Sequence, residues 1–177
     1  QFQEGILYYN YRGIYGDTGT SPSNNYNNGY ATPFATIMTC GTGDFDEGNA
    51  QSEAFVKLGS VTNPEGAVAA VGLATTGTHT AYNNILDMGI YDGIFSKKLW
   101  YAGAAEANGD LAILATYPSN PSGVTEAFIA WSNLIGDPAL HLWTDVPVNF
   151  AVDHIDIIPL GTTTTDIIVF NEDGNIV

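Results

Sequence analysis

The chain has 177 residues, 45% of them hydrophobic, which is enough for one ordinary domain with a buried core and a small appendage. Four basic residues stand against nineteen acidic ones, a formal charge of -15, so nucleic acid is all but excluded as a partner and anionic membrane surfaces are disfavoured. A single cysteine cannot close an internal disulfide, no Cys/His cluster has metal-ligand spacing, and no apolar run is long enough for a membrane-spanning helix.

Gly5-Ile6-Leu7-Tyr8-Tyr9-Asn10-Tyr11 is aliphatic and aromatic with no polar alternation before Asn10, the pattern of a strand buried on both faces. It ends at Arg12-Gly13-Ile14-Tyr15-Gly16. The next stretch, rich in Gly, Ser, Asn, Thr and Tyr, predicts a long loop, and such loops inside compact domains are commonly functional or mobile. Its Tyr and Asn residues between Asn24 and Tyr30 suit contact with peptide or glycan and equally suit plain solvation. Because the chain opens inside what reads as a sheet core, with no signal peptide at Gln1, its start is expected to be a cut or processed end.

Ala35-Thr36-Ile37-Met38-Thr39-Cys40-Gly41-Thr42-Gly43-Asp44-Phe45 holds the one cysteine. A short apolar, β-branched run that breaks into Gly-x-Gly predicts a buried strand delivering Cys40 to the rim of a sheet. From Asp46 to Leu58 the spacing is helical, with Ala50, Ala54, Phe55 and Leu58 on one face and acids in the first turn. Cys40 therefore falls at a strand-to-helix turn, where backbone N–H groups can stabilise a thiolate or an oxyanion. The alternative is a buried cysteine acting as a small hydrophobe.

Gly66-Ala67-Val68-Ala69-Ala70-Val71-Gly72 predicts a third buried strand, followed by the polar loop Thr75 to Thr80, which carries His79. Thr80 suits the cap of a helix from Ala81 to about Phe95, with Ile85, Met88, Ile90 and Ile94 supplying most of its apolar stripe. A helix is expected from Trp100 to Ala107, and Leu111 to Tyr117 either extends it past Asn108-Gly109 or forms a separate segment. Gly123 to Leu134 reads as the last helix, stopping at Gly136, after which Asp137-Pro138 turns the chain into a short strand, Ala139 to Trp143.

Alternation of strands with helices over residues 1–145 predicts an α/β fold with a parallel sheet and helices on both faces. From Val146 the helical period disappears. Strands are expected near Val148–Val152, Ile155–Pro159 and Asp166–Phe170, with Glu172-Asp173-Gly174-Asn175 as a hairpin turn. Residues 146–177 are too few for an independent sandwich and read as the first part of an immunoglobulin-like domain or a segment completed by another chain.

Five segments, Tyr9-Asn10-Tyr11-Arg12-Gly13, Thr39-Cys40-Gly41-Thr42-Gly43-Asp44-Phe45, Gly66 to Gly72, Tyr82-Asn83-Asn84 and Asn133-Leu134-Ile135-Gly136-Asp137-Pro138-Ala139-Leu140, resemble gingipain-like cysteine peptidases in order and spacing. The resemblance covers nearly the whole chain. It implies a caspase-like fold, here without its first strands, followed by an immunoglobulin-like domain, in a secreted bacterial enzyme. It also implies that Cys40 is the nucleophile. The general base of that family is a histidine in a Gly-His-Gly-like turn after the preceding strand; here the turn reads Gly13-Ile14-Tyr15-Gly16, and no histidine occurs between Gln1 and Cys40. The family acid that orients the histidine would fall upstream of Gln1, so the chain reads as the cysteine-bearing part of a larger protein.

The candidate site then consists of Cys40, the backbone N–H groups of Gly13 and Gly41 as oxyanion donors, and His79 as a substitute base approaching from the opposite side. The alternative for His79 is a solvent-facing loop residue. His141, between Leu140 and Leu142, reads as a packed strand residue, and His154 lies in the β segment. Asp44, Asp46 and Glu47 invite a Ca²⁺ site, against which stands the simpler role of charging and capping the start of the following helix. No cofactor is required. Two functions follow from different classes: an extracellular cysteine endopeptidase acting on polypeptides, or a peptidase-derived surface, adhesion or assembly protein that pairs with neighbouring chains, or with copies of itself, at exposed sheet edges.

Overall fold

The structure is a computed structural model and describes residues 8–10, 28–47, 50–145 and 148–177. It divides into two compact units, Gln1–Asp145 and Val146–Val177. The remainder of the expected Gly5–Tyr11 strand, Gly13, Ile14 and most of the Tyr/Asn loop lie outside the described residues.

The first unit is built on a four-stranded sheet in the order β1 (Tyr8–Asn10), β2 (Phe34–Ile37), β3 (Ala69–Leu73), β4 (Ser132–Ile135). The first three strands are parallel, with Phe34 opposite Ala69 and Ile37 opposite Gly72. β4 is antiparallel to β3, with Leu73 opposite Ser132. β2 and β3 are buried along their full length, as interior parallel strands covered on both faces must be.

Alternation sorts their side chains between two cores. Ala35, Ile37 and Ala70 pack with Ala67 and with Phe55 of the short helix α1 (Gln51–Val56) on one face. Phe34, Ala69, Val71 and Leu73 pack on the other against α2 (Thr80–Tyr91), α3 (Ala102–Thr116) and α4 (Val124–Trp131), which contribute Leu86, Ile90, Ala105, Ile113 and Phe128. Each fully buried Leu, Ile or Phe contributes about 1.5–3 kcal/mol. Tyr82 stacks between Tyr117 and Phe128, both ring centroids lying 4.7 Å away. The parallel strands with helices on both faces are the expected α/β architecture.

Several elements differ from their sequence reading. A 3₁₀ turn at Phe45–Glu47 precedes α1, which starts only at Gln51 behind Ala50, with no side-chain cap. Asp46 and Glu47 thus do not cap it. α2 is capped by His79, whose Nδ1 accepts the Ala81 N–H at 3.2 Å, and Thr80 is the first helical residue. The helix runs on into a π turn at Asp92–Ser96, and Met88 is 70% exposed where the stripe would bury it. α3 starts at Ala102 and passes unbroken through Asn108-Gly109.

The helix expected to reach Leu134 ends at Trp131, and Ser132–Ile135 become strand β4. Residues 139–143 do not form a strand; the segment makes one isolated bridge, Tyr101 with His141. His141 is exposed rather than packed, its ring set edge-on to Tyr101 at 5.4 Å.

The second unit is a two-stranded antiparallel ribbon, β5 (Ala151–His154) with β6 (Ile167–Phe170), with Ala151 opposite Phe170. The chain turns back at Glu172–Asn175, where the Gly174 N–H donates to Asn171 O at 3.0 Å and Phe170 bridges Ile176. Residues 155–159 form bends instead of the expected strand. Val152, Ile157 and Leu160 are exposed. Among the described residues no helix is long and apolar enough to cross a membrane.

Candidate active site at Cys40

β2 ends at Ile37, and the following turn is locked to the end of β3 residue by residue. Gly41 has φ +69°, and its N–H donates to Thr75 O at 2.7 Å. Thr42 is buried, its Oγ1 2.6 Å from Ile37 O and 2.8 Å from Thr39 O, and it accepts the Leu73 N–H at 3.3 Å. The Gly43 N–H donates to Leu73 O at 3.1 Å. A Cβ on Gly43 would lie 2.4 Å from the Gly72 carbonyl, and one on Gly72 would lie 2.7 Å from Gly43 N. Only two glycines let these backbones meet.

Outer contacts complete the clamp. Ser52 donates both its N–H and its Oγ–H to Thr42 O, and Asn133 Nδ2 of β4 donates to Gly43 O at 3.0 Å. On the far side of the sheet's lower end, Asn28 donates to Gly66 O at 2.8 Å and accepts the Gly66 N–H at 2.9 Å, fixing the entry to β3.

Cys40 is thereby held beyond the carboxyl end of β2, between two parallel neighbours of an open α/β sheet, the position where such sheets carry ligand sites. Its side chain is half-buried, and Sγ lies 3.0 Å from Thr78 Oγ1. Among the described residues its backbone N–H has no acceptor. A thiol at such a turn supplies an attacking atom, and a backbone N–H beside it is the kind of donor that receives an oxyanion; attack on a carbonyl also needs a base for the thiol proton.

The other candidate residues fare differently. The Gly41 N–H is engaged by Thr75 O, whereas among the described residues neither the Cys40 N–H nor the Thr42 N–H has a backbone acceptor. Gly13 lies outside the described residues. His79 is exposed, with Nδ1 committed to its own helix, and the hydrogen bond of the sulfur goes to Thr78. Asp44 is half-buried and Asp46 exposed, while the Glu47 side chain lies outside the description. Among the described residues no group of three or more His, Cys, Asp or Glu is positioned to hold a metal.

Sequence reading missed Thr78 and the role of Asn83. The usable signal was Asn83 itself, an amide at a helical position that the apolar spacing assigns to the core; it is 9% exposed, and its Nδ2 donates to Met38 O at 3.1 Å. A second polar cluster, on α3, was also missed. Ser132 donates to Glu106 Oε1 at 3.0 Å, and Asp110 lies one turn further along the helix. Burial raises the Glu106 carboxyl, and burial together with the Glu106 charge pushes Asp110 up to about 8.

Three parallel strands covered by helices on both faces and edged by antiparallel β4, with a thiol on a glycine turn at the carboxyl end of an interior strand, match a caspase-like α/β fold of the cysteine peptidase type. The family model of peptidase family C25 matches residues 1–143, and the chain belongs to that gingipain-type family. The crystal structure of the Arg-specific cysteine proteinase gingipain R (RgpB) is similar at 21% identity and a TM-score of 0.70, covering 93% of this chain and 40% of that one. The complex of Porphyromonas gingivalis RgpB pro- and mature domains is similar at 21% identity and a TM-score of 0.70, covering 98% and 44%. The chain thus spans less than half the length of either. No curated protein matches it.

Proposed function

We propose that this chain is the nucleophile-bearing part of a secreted cysteine endopeptidase acting on polypeptides. The observation that carries this reading is the clamped turn: family membership, a half-buried thiol and an uncommitted N–H coincide at Cys40. In the reaction, Cys40 Sγ attacks the scissile carbonyl carbon. The oxyanion is received by the Cys40 N–H, with Gly13 as the second donor. The thiol proton passes to a base and from there to the amine that leaves as the C–N bond breaks; water then hydrolyses the thioester, releasing the acid and restoring the thiol. His79, adjacent in sequence to the sulfur's partner Thr78, is the histidine nearest to Cys40 along the chain. Residues 146–177 are in this reading the opening strands of an immunoglobulin-like domain.

The test is covalent capture by a peptidyl acyloxymethyl ketone followed by intact mass. One adduct on Cys40, lost in Cys40→Ala, is expected; a native protein that never labels would sink the proposal. A second reading, a non-catalytic scaffold at the cell surface, is favoured by Ile14 standing where the family has its histidine. Cleavage of casein by the monomeric chain would rule that reading out.

A further inference from the structure

We infer that Thr78 and Asn83 form a positioning pair that aims a hydroxyl proton at Cys40 Sγ and stabilises its thiolate. The inference rests on Cys40 being the reactive thiol of the preceding section.

The orientation follows from hydrogen-bond inventory. Met38 O can only accept, so the Asn83 amide must present Nδ2 to it, at 3.1 Å. The second Nδ2 proton then faces Thr78 Oγ1 at 3.4 Å. A hydroxyl that receives a proton on one side is free to donate its own on the other, and 3.0 Å away lies Cys40 Sγ. The alternative flip would set Oδ1 against the Met38 carbonyl, acceptor against acceptor.

This arrangement leaves Asn83 Oδ1 buried and, among the described residues, without a partner. An orphaned acceptor in a core destabilises the fold, so packing alone would favour an apolar residue there. What the amide gains in exchange is hold on two points: the end of β2 two residues before Cys40, and the hydroxyl that meets the sulfur. Such a donor strengthens when its acceptor is ionised. The hydroxyl stabilises the thiolate without itself taking the proton, which suits a chain that has Ile14 in place of the family histidine.

The experiment is the rate of alkylation of Cys40 by iodoacetamide in the whole chain as a function of pH; the S–C bond forms and iodide leaves. Thr78→Val removes the hydroxyl at nearly constant shape, and Thr78→Ser retains it. Thr78→Ala is the second truncation should the valine variant fail to fold. Near pH 7 the Val and Ala variants are expected to react about three- to ten-fold more slowly, with Ser within about two-fold of the parent. At the alkaline end of the profile the rates are expected to converge to within about two-fold, because a less stabilised thiolate is also the stronger nucleophile. The series is repeated with His79→Asn, which keeps a helix cap and removes the neighbouring imidazole. Equal rates near neutrality, or an equal loss at every pH, would overturn the inference, the latter assigning Thr78 to access alone. Labelling by the peptidyl ketone is a separate readout: a chain that responds to Thr78 but never takes the ketone keeps the pair and loses the peptidase.

Discussion

Gly43 and Gly72 show how narrowly the site is specified. Each backbone occupies the space where the other's Cβ would be, and neither can retreat without breaking the Gly43 to Leu73 hydrogen bond that holds the cysteine turn to β3. Gly43→Ala is expected to destabilise the chain by about 3 kcal/mol or more, read as a fall in the urea midpoint at constant slope. Asp110 makes the opposite prediction. Its folded-state carboxyl is raised to about 8 from an ordinary 3.8, so between these values the folded chain holds more protons than the unfolded one. Stability should therefore fall as pH rises from about 4 through about 8, and the loss should be complete above that window. Asp110→Asn removes the ionisation and is expected to gain about 1–2 kcal/mol near pH 8, the gain being limited by solvent screening at this half-buried site. Urea melts of both proteins across that range would show it; parallel pH profiles would contradict it.

Between elements, α2 and α3 approach each other closely. Asn108 Nδ2 donates to Gly89 O at 2.6 Å, and a Cβ on Gly109 would lie 2.8 Å from both Leu86 O and Ile90 Cγ1. On an exposed helix Gly→Ala gains about 1 kcal/mol. Here the added carbon must push against backbone, so Gly109→Ala is expected to reverse sign and lose about 1–3 kcal/mol by urea unfolding. The same packing explains why Asn108-Gly109, which in sequence looks like a break, lies inside a continuous helix: the pair exists for its neighbour. β4 is the complementary case. Its residues continue an apolar run that suits a helix, and short runs of that kind cannot be assigned from period alone. Pairing with β3 and the Asn133 bond to Gly43 O decide for a strand. Ala139–Trp143 has strand-like composition and, among the described residues, no strand alongside it beyond the single bridge of His141 to Tyr101.

For the molecule as a whole, the α/β architecture and the location of Cys40 were legible because they rest on buried runs and a glycine break, signals carried within ten residues of one another. The partners of Cys40 were not. Thr78 reaches the sulfur from 38 residues away, and Asn83 reaches Met38 from 45. His79 was legible as the polar residue before α2, yet its ring serves the helix end, a local use that sequence spacing to Cys40 could not reveal. In the second unit, the hairpin turn at Glu172–Asn175 was readable from its residues, whereas Ile155–Pro159 was misread because β-branched composition without a partner strand does not make a ladder.

The decisive measurement is the rate at which Cys40 takes a peptidyl acyloxymethyl ketone in the native chain, compared with the same chain unfolded in urea. A fold that positions the thiol and its oxyanion donor for catalysis should raise the native rate at least about ten-fold above the unfolded one, despite the half-burial of the side chain. A native rate equal to or below the unfolded rate would mean that the turn merely shelters the sulfur, and the peptidase reading would fall.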